Sequence, residues 1–535
     1  MKRYIFISIL IAGLAGSLFA QNIELPDLTT VISGETVKAG ADALPDFKDV
    51  MIVPEGSGTV VPVLPDVDTP SDADINTLKN EQTEKTIFAE GVIGGGYPSL
   101  FTGDFSVFRV SDTSPFKISF SHNSAVGYGN HSLGDGFSDR TTNLFIEKAF
   151  QKDKFGMKLD FGYEALSNGL QRHIQELTSI NQDNYAGAGS LTWDVNNKFS
   201  TGVNAGLSFY NRYADVASGS FASASVLDIN PELFAIWKIN AFNIGFTGTY
   251  SMEADVAEEI SKDILHRGEF NLNVQWENEI IKAYGKAGIV LGTNLNGNTV
   301  VVPFTVGVDS SFPVYFSNRR FGIAAEGGID SSMNKISDLE KKYKFSGLLT
   351  MPSETSDWYG KVNFSIPLKE SFTGTVNFEY RQTAFNNGHW QPFYDLNSSR
   401  TGIKGIYGYG FSEMQQFISD LSITYHYKVF SITGGWRSNW IDVPVLEAAH
   451  QLVLDVNFQS EDSKWGADLK GIWNLNGDAT VPVINVEGFA RLTTSVRAVL
   501  SIEDALKLFG GAERVYAGEY ICRGGTVTAL LKFFF

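Results

Sequence analysis

From Thr86 to the end of the chain, hydrophobic and polar residues alternate with a period of two. In GEFNLNVQWEN, Phe270, Leu272, Val274 and Trp276 fall on one side. Glu269, Asn271, Asn273, Gln275 and Glu277 fall on the other. Successive side chains of an extended strand point to opposite faces. Strict alternation over this length therefore predicts a β-strand with one apolar and one wet face. The pattern recurs in Phe155, Met157, Leu159, Phe161 and Tyr163, in Phe199 to Phe209, and in Phe242 to Tyr250. In WYGKVNFSIPLKESFTGTVNFEYR, Trp358, Val362, Phe364, Ile366 and Leu368 share a face. Phe372, Val376, Phe378 and Tyr380 rejoin it after Lys369-Glu370-Ser371, which is the register of a tight antiparallel hairpin.

A soluble sandwich would turn these apolar faces inward, and a membrane barrel would turn them to lipid. The length of the strands, their Trp- and Tyr-rich ends and their Gly-, Ser- and Asn-rich second face predict the barrel. Connection lengths agree, because outer-membrane barrels alternate short periplasmic turns with longer outer loops. Short links fall at 151–154, 196–198, 238–240, 278–280, 369–371 and 428–429. Long ones fall at 166–184, 331–357, 383–411, 441–450 and 502–523. The fold predicted is all-β: a transmembrane antiparallel barrel of about 22 strands over 86–535. That count takes 331–357 as one outer loop, and a strand at Phe345–Thr350 would make it odd. Lys158, Asp160, Glu269, Glu379, Arg381, Asp468 and Lys470 then face the lumen.

The first twenty residues change the compartment. Lys2 and Arg3 precede an apolar stretch from Tyr4 to Phe19 that ends at Ala20, the pattern of a cleaved secretory signal over 1–20. Residues 21–85 are of another kind. Gln21 to Glu84 carries six prolines and thirteen acids against three lysines. Proline extends the backbone and like charges repel, so this segment reads as an extended, largely disordered acidic tail in the periplasm. The Pro-Asp repeats suit a periplasmic protein partner, and threading of the tail into the lumen as a plug is the alternative. With one cysteine, Cys522, no disulfide framework is possible.

The chain ends in SVRAVLSIEDALKLFGGAERVYAGEYICRGGTVTALLKFFF. Val527, Ala529, Leu531, Phe533 and Phe535 share one face, which puts terminal aromatics at the periplasmic interface. This end resembles the last hairpin of TonB-dependent outer-membrane receptors. Leu506–Phe509 stands near their loop motif, Tyr520 near their Tyr, and Arg523-Gly524-Gly525 near their turn. The resemblance implies a 22-stranded barrel in the outer membrane, solute transport, and Phe533 and Phe535 as the signal for the barrel assembly machinery. Thr29, Thr30 and Val31 resemble the short box that contacts TonB. The family's plug of well over a hundred residues has no counterpart in 21–85.

Candidate chemistry is sparse. The seven histidines show no ligand spacing, GVIGGGY (Gly91–Tyr97) lacks the lysine of a phosphate loop, and no nucleophile elbow occurs. The expectation is a non-enzyme without cofactor, a monomer in outer-membrane lipid that binds no nucleic acid. Gly91–Tyr97 reads as strand glycines that ease curvature, and KISDLEKKY (Lys335–Tyr343) as a short helix in an outer loop. Aromatics with polar neighbours make His389, Trp390, Phe393, Tyr394 and Arg400 candidate ligand contacts in an outer loop. Packing of that loop on itself is the competing expectation. The function predicted is passage of a solute. The alternatives are a passive porin and a surface barrel that only displays loops.

Overall fold

The computed structural model describes residues 87–535, apart from 112, 129–130, 132, 174–176, 217–222, 259, 263, 295–296, 315–316, 370, 394–405, 477, 480, 511–513 and 517–518. The signal sequence, the acidic tail and Thr29 to Val31 lie outside the described residues.

The described chain is a wall of long strands. In order they are β1 (Ile87–Tyr97), β2 (Leu100–Arg109), β3 (Phe116–Val126), β4 (Ser138–Lys152), β5 (Phe155–Gly169), β6 (Leu177–Asn196) and β7 (Phe199–Val216). There follow β8 (Ala224–Ile239), β9 (Phe242–Asp255), β10 (Ile264–Glu277), β11 (Ile281–Asn294), β12 (Phe304–Val314), β13 (Ser317–Ser332), β14 (Thr355–Lys369) and β15 (Phe372–Thr383). The last are β16 (Gln415–Tyr427), β17 (Phe430–Asn439), β18 (His450–Gln459), β19 (Trp465–Asn476), β20 (Val483–Thr493), β21 (Val496–Glu503) and β22 (Thr526–Phe534). The sheet has 24 strands, of which Gly297–Val301 and Asp478–Ala479 are short returns within outer loops, leaving 22 around the wall. Every pairing is antiparallel between neighbours. β1 pairs β22 from Glu90↔Phe534 to Tyr97↔Val527 and closes the barrel. Phe345–Thr350 is not a strand, so one outer loop, 333–354, joins β13 to β14, a little shorter than the 331–357 expected, and the count stays even.

The apolar face points outward. Leu233, Val306 and Phe270 are 61%, 64% and 50% exposed. A soluble sandwich would bury them, so that alternative is overturned: this is a surface made for lipid. Aromatic pairs ring the turn end of the barrel. Phe155 stacks on Trp193, Phe199 lies against Trp237, and Phe458 against Trp465. Tyr163 and Tyr185 pair higher on the wall. Amphipathic aromatics favour the two membrane interfaces, so these rings bracket the hydrocarbon. A closed barrel satisfies every ladder hydrogen bond internally and leaves no edge, which lets it stand in an outer membrane.

The terminal aromatics belong to the lower ring. The Phe535 N–H donates to Ala89 O at 2.8 Å and the Ala89 N–H to Phe535 O at 3.1 Å. The glycines of β1 serve the same seam. A Cβ on Gly94 or Gly96 would collide with the β22 carbonyls of Ala529 and Val527. Close approach at the closure, beyond general curvature, explains GVIGGGY.

The connection expected over 166–184 is much shorter. β5 runs to Gly169 and β6 begins at Leu177. Their polar upper ends read as loop because they stand above the lipid, where a strand no longer needs an apolar face. We expect Leu233→Arg, near the middle of an outward face, to destabilise the barrel by about 2–4 kcal/mol. Thr249→Arg points into the lumen, in register with Glu232 and Glu269, and should be tolerated. Urea unfolding in detergent micelles checks both.

Candidate outer-mouth site

The loop between β13 and β14, residues 333–354, turns into the barrel. Its helix α1 (Ile336–Lys342) places Ile336, Leu339, Glu340 and Tyr343 on one stripe by their i, i+3, i+4, i+7 spacing. Ile336, Tyr343, Leu348 and Met351 are buried against Tyr210, Ala224, Val226 and Leu265, inward residues of β7, β8 and β10. The segment expected to be only a short helix in an outer loop is thus packed on the inner wall of β7, β8 and β10.

A buried ion pair sits at the centre of this contact. Arg212 and Glu340 have no solvent exposure, and the Arg212 guanidinium meets the Glu340 carboxylate directly. Tyr210 Oη donates to Glu340 Oε2 at 2.6 Å, and the Leu348 N–H donates to Glu340 Oε1 at 2.8 Å. Gln182 Nε2 donates to the Glu340 carbonyl at 3.2 Å, and Arg212 also donates to Leu348 O at 3.3 Å. Burial pushes the Glu340 carboxyl up from its ordinary range, against the opposing pull of Arg212, Tyr210 and the Leu348 N–H. A buried charge pair of this kind costs about as much in desolvation as it returns, but removing one partner strands the other. It therefore specifies one position for the loop more than it adds stability.

Weaker contacts surround it. Lys335 pairs with Asp228 at 2.5 Å, Lys341 with Glu164 at 2.7 Å and Lys344 with Asp139 at 3.1 Å. The Ile336 N–H donates to Glu253 Oε1 at 3.2 Å. Beyond them, Arg267 on β10 holds Glu354 at 3.0 Å. Burial raises the Glu354 carboxyl, opposed by Arg267.

A second cluster joins loops from around the rim. Phe345 stacks on Tyr520 with centroids 3.7 Å apart, and the loop residues Leu170, Ile406 and Tyr407 join them against Ile180 of β6. Tyr407 Oη donates to Glu519 Oε2 at 2.9 Å. These loop residues leave the wall beside β5, β13, β15 and β21, so they meet only by crossing the mouth. Chain from the barrel's own loops occupies the outer opening.

The predicted ligand contacts have structural partners here. His389 and Trp390 lie in a two-stranded ribbon, His389–Pro392 with Tyr409–Ser412. His389 Nε2 is 2.9 Å from Asp357 Oδ1, and Trp390, only 8% exposed, donates to Ser353 Oγ at 3.1 Å. The Phe393 N–H donates to Gly408 O at 2.9 Å. Tyr394 and Arg400 lie outside the described residues. His389 and Trp390 thus pack toward residues 353–357, while Phe393 is half-buried. Of the motif at the chain end, Tyr520 is fully buried and Arg523 donates to Asn123 Oδ1 at 2.7 Å. The alternation that places Phe209 outward also places Tyr210 and Arg212 inward. Nothing in that local pattern announces a partner 128 residues away.

No family model matches this chain, and no curated protein does. Solved structures do match in fold. The FrpB iron transporter from Neisseria meningitidis aligns at 9% identity over 86% of this chain and 83% of that one, with a TM-score of 0.63. The siderophore receptor PirA from Pseudomonas aeruginosa aligns at 8% identity over 85% and 81%, with a TM-score of 0.60. The copper transporter OprC aligns at 9% identity over 84% and 82%, with a TM-score of 0.63. With its 22 strands, outward apolar face and closed seam, the chain has the fold of a TonB-dependent outer-membrane receptor barrel.

Proposed function

We propose that this barrel passes a solute across the outer membrane, and that residues 333–354 form the segment that must leave the wall for it to pass. The observation that carries the reading is the Arg212–Glu340 pair. A barrel that only displayed loops would have no use for a loop folded inward onto a charged wall. The charged lumen below supports passage: Lys158 bridges Glu147 and Asp160 at 3.1 and 3.4 Å, and Lys361 pairs with Glu326 at 2.7 Å. The fold shared with an iron transporter, a siderophore receptor and a copper transporter points the same way.

The reading is non-catalytic, and the protein acts as a monomer after delivery by the barrel assembly machinery. Passage is driven by a periplasmic partner that grips residues 21–85, with Thr29, Thr30 and Val31 as its first contact. His389, Trp390, Phe393, Tyr394 and Arg400 remain the outer-loop residues proposed to meet the solute. Deleting residues 21–84 should leave cells as resistant to large antibiotics as before, because the outer loops stay in place, while growth dependent on the solute is lost. A leaky deletion strain would make the tail a plug instead. A passive porin is the second reading, and it predicts steady conductance of the purified full-length protein.

A further inference from the structure

The wall that receives residues 333–354 carries Arg212 and Arg267, which hold the loop's Glu340 and Glu354, and beside them a set of carboxylates. Asp228 on β8 and Glu253 on β9 stand directly opposite each other in the ladder, and both face the lumen. Like charges in register repel. The pattern occurs elsewhere inside the barrel, at Glu147↔Asp160, Asp330↔Asp357 and Asp468↔Glu487. The one basic counterpart in register among the described residues is Arg491↔Arg497↔Lys532, at the periplasmic end of β20–β22. Asp228↔Glu253 and Asp330↔Asp357 stand at the outer end of the wall, so the mouth calls for cations.

At the mouth that demand is met by the loop itself. Lys335, Lys341 and Lys344 reach Asp228, Glu164 and Asp139. The three lysines are 30%, 50% and 42% exposed, so water and solutes reach these pairs. Glu253 is 1% exposed, and its Oε2 has no hydrogen-bond partner although Oε1 accepts from Ile336. One buried carboxylate oxygen is thus left without a donor beside the lysine-bearing segment.

We infer that the acidic wall of β4, β5, β8 and β9 is a binding site for a cationic solute, and that Lys335, Lys341 and Lys344 occupy it as a tethered stand-in. This rests on the reading that residues 333–354 leave the wall. A polyamine or other multivalent organic cation supplies the separated ammonium groups that the three lysines supply now. Such a solute competes for the carboxylates, takes the place of the lysines, and favours the open position by its preference for the exposed wall. An anionic solute finds only Arg212 and Arg267 on the vacated wall, among carboxylates of β4, β5, β8 and β9 that repel it.

The test is titration calorimetry of the mature full-length protein in detergent with spermidine and, separately, citrate, beside conductance in planar bilayers. A tethered competitor acts at a high effective concentration, so removing it strengthens a free ligand. The variant Lys335→Ala/Lys341→Ala/Lys344→Ala should bind spermidine on the order of tenfold more tightly. The variant Asp228→Asn/Glu253→Gln should bind it about tenfold more weakly, and Asp139→Asn/Glu164→Gln likewise. Citrate should not bind. Spermidine binding that is unchanged in all three variants, or citrate binding as tightly as spermidine, overturns the inference. Binding that follows this order with no rise in conductance keeps the site and overturns passage.

Discussion

Replacing Arg212 by alanine should release residues 333–354 from the wall and open the outer mouth. The change leaves the Glu340 carboxylate buried with only Tyr210 and the Leu348 N–H as partners. Stranding a buried charge costs about 3–5 kcal/mol. The remaining lysine pairs are partly exposed and return at most about 1 kcal/mol each. The barrel keeps its wall, since each strand is held by its neighbours, so the cost falls on the loop. Cells carrying Arg212→Ala should become sensitive to antibiotics normally too large to cross the outer membrane, and purified protein should conduct. Arg212→Met with Glu340→Met should restore much of the closed state, because an apolar pair of similar volume substitutes for a buried ion pair without the desolvation cost. If the double change is as leaky as Arg212→Ala, the pair is not what positions the loop.

Removing Phe535 should impair assembly at the step where the barrel closes. Its backbone makes two seam hydrogen bonds with Ala89, each worth about 0.5–1.5 kcal/mol net. Its ring lies 6.3 Å from Phe533 in the interfacial belt and adds about 0.5–1.5 kcal/mol beyond its buried area. The loss falls where the first and last strands must meet. Folded protein in the outer-membrane fraction, read by heat-dependent gel mobility, should drop by on the order of tenfold or more for a loss above about 1.4 kcal/mol. Phe535→Trp should assemble normally, because it keeps both the main-chain bonds and an interfacial ring.

The wall was legible because its determinants are local. Phe270, Leu272 and Val274 alternate whatever surrounds them, and the 331–357 loop could be joined into one by counting strands. Strand length was read less well where the apolar face stops. Above the lipid, Asn168 and Gln182 look like loop residues, yet they continue β5 and β6. The mouth was not legible, because its logic is long-range. Glu340 sits in a stretch that scans as an ordinary surface helix, and Arg212 looks like any lumen arginine. Their meeting depends on where two distant strands stand around a closed ring. The aromatic loop was singled out by composition, and its Trp390, Tyr407 and Tyr409 are buried in the two loop clusters.

The central claim is that solute passes only when residues 333–354 leave β4–β9. The most direct measurement is conductance of the Arg212→Ala protein with the loop chemically tied down. Lys341 and Glu164 are in contact at 2.7 Å, so Lys341→Cys and Glu164→Cys, in a Cys522→Ser background, can be joined by a short bismaleimide. The account predicts open channels before cross-linking and closed ones after it. Equal conductance in both states would contradict it.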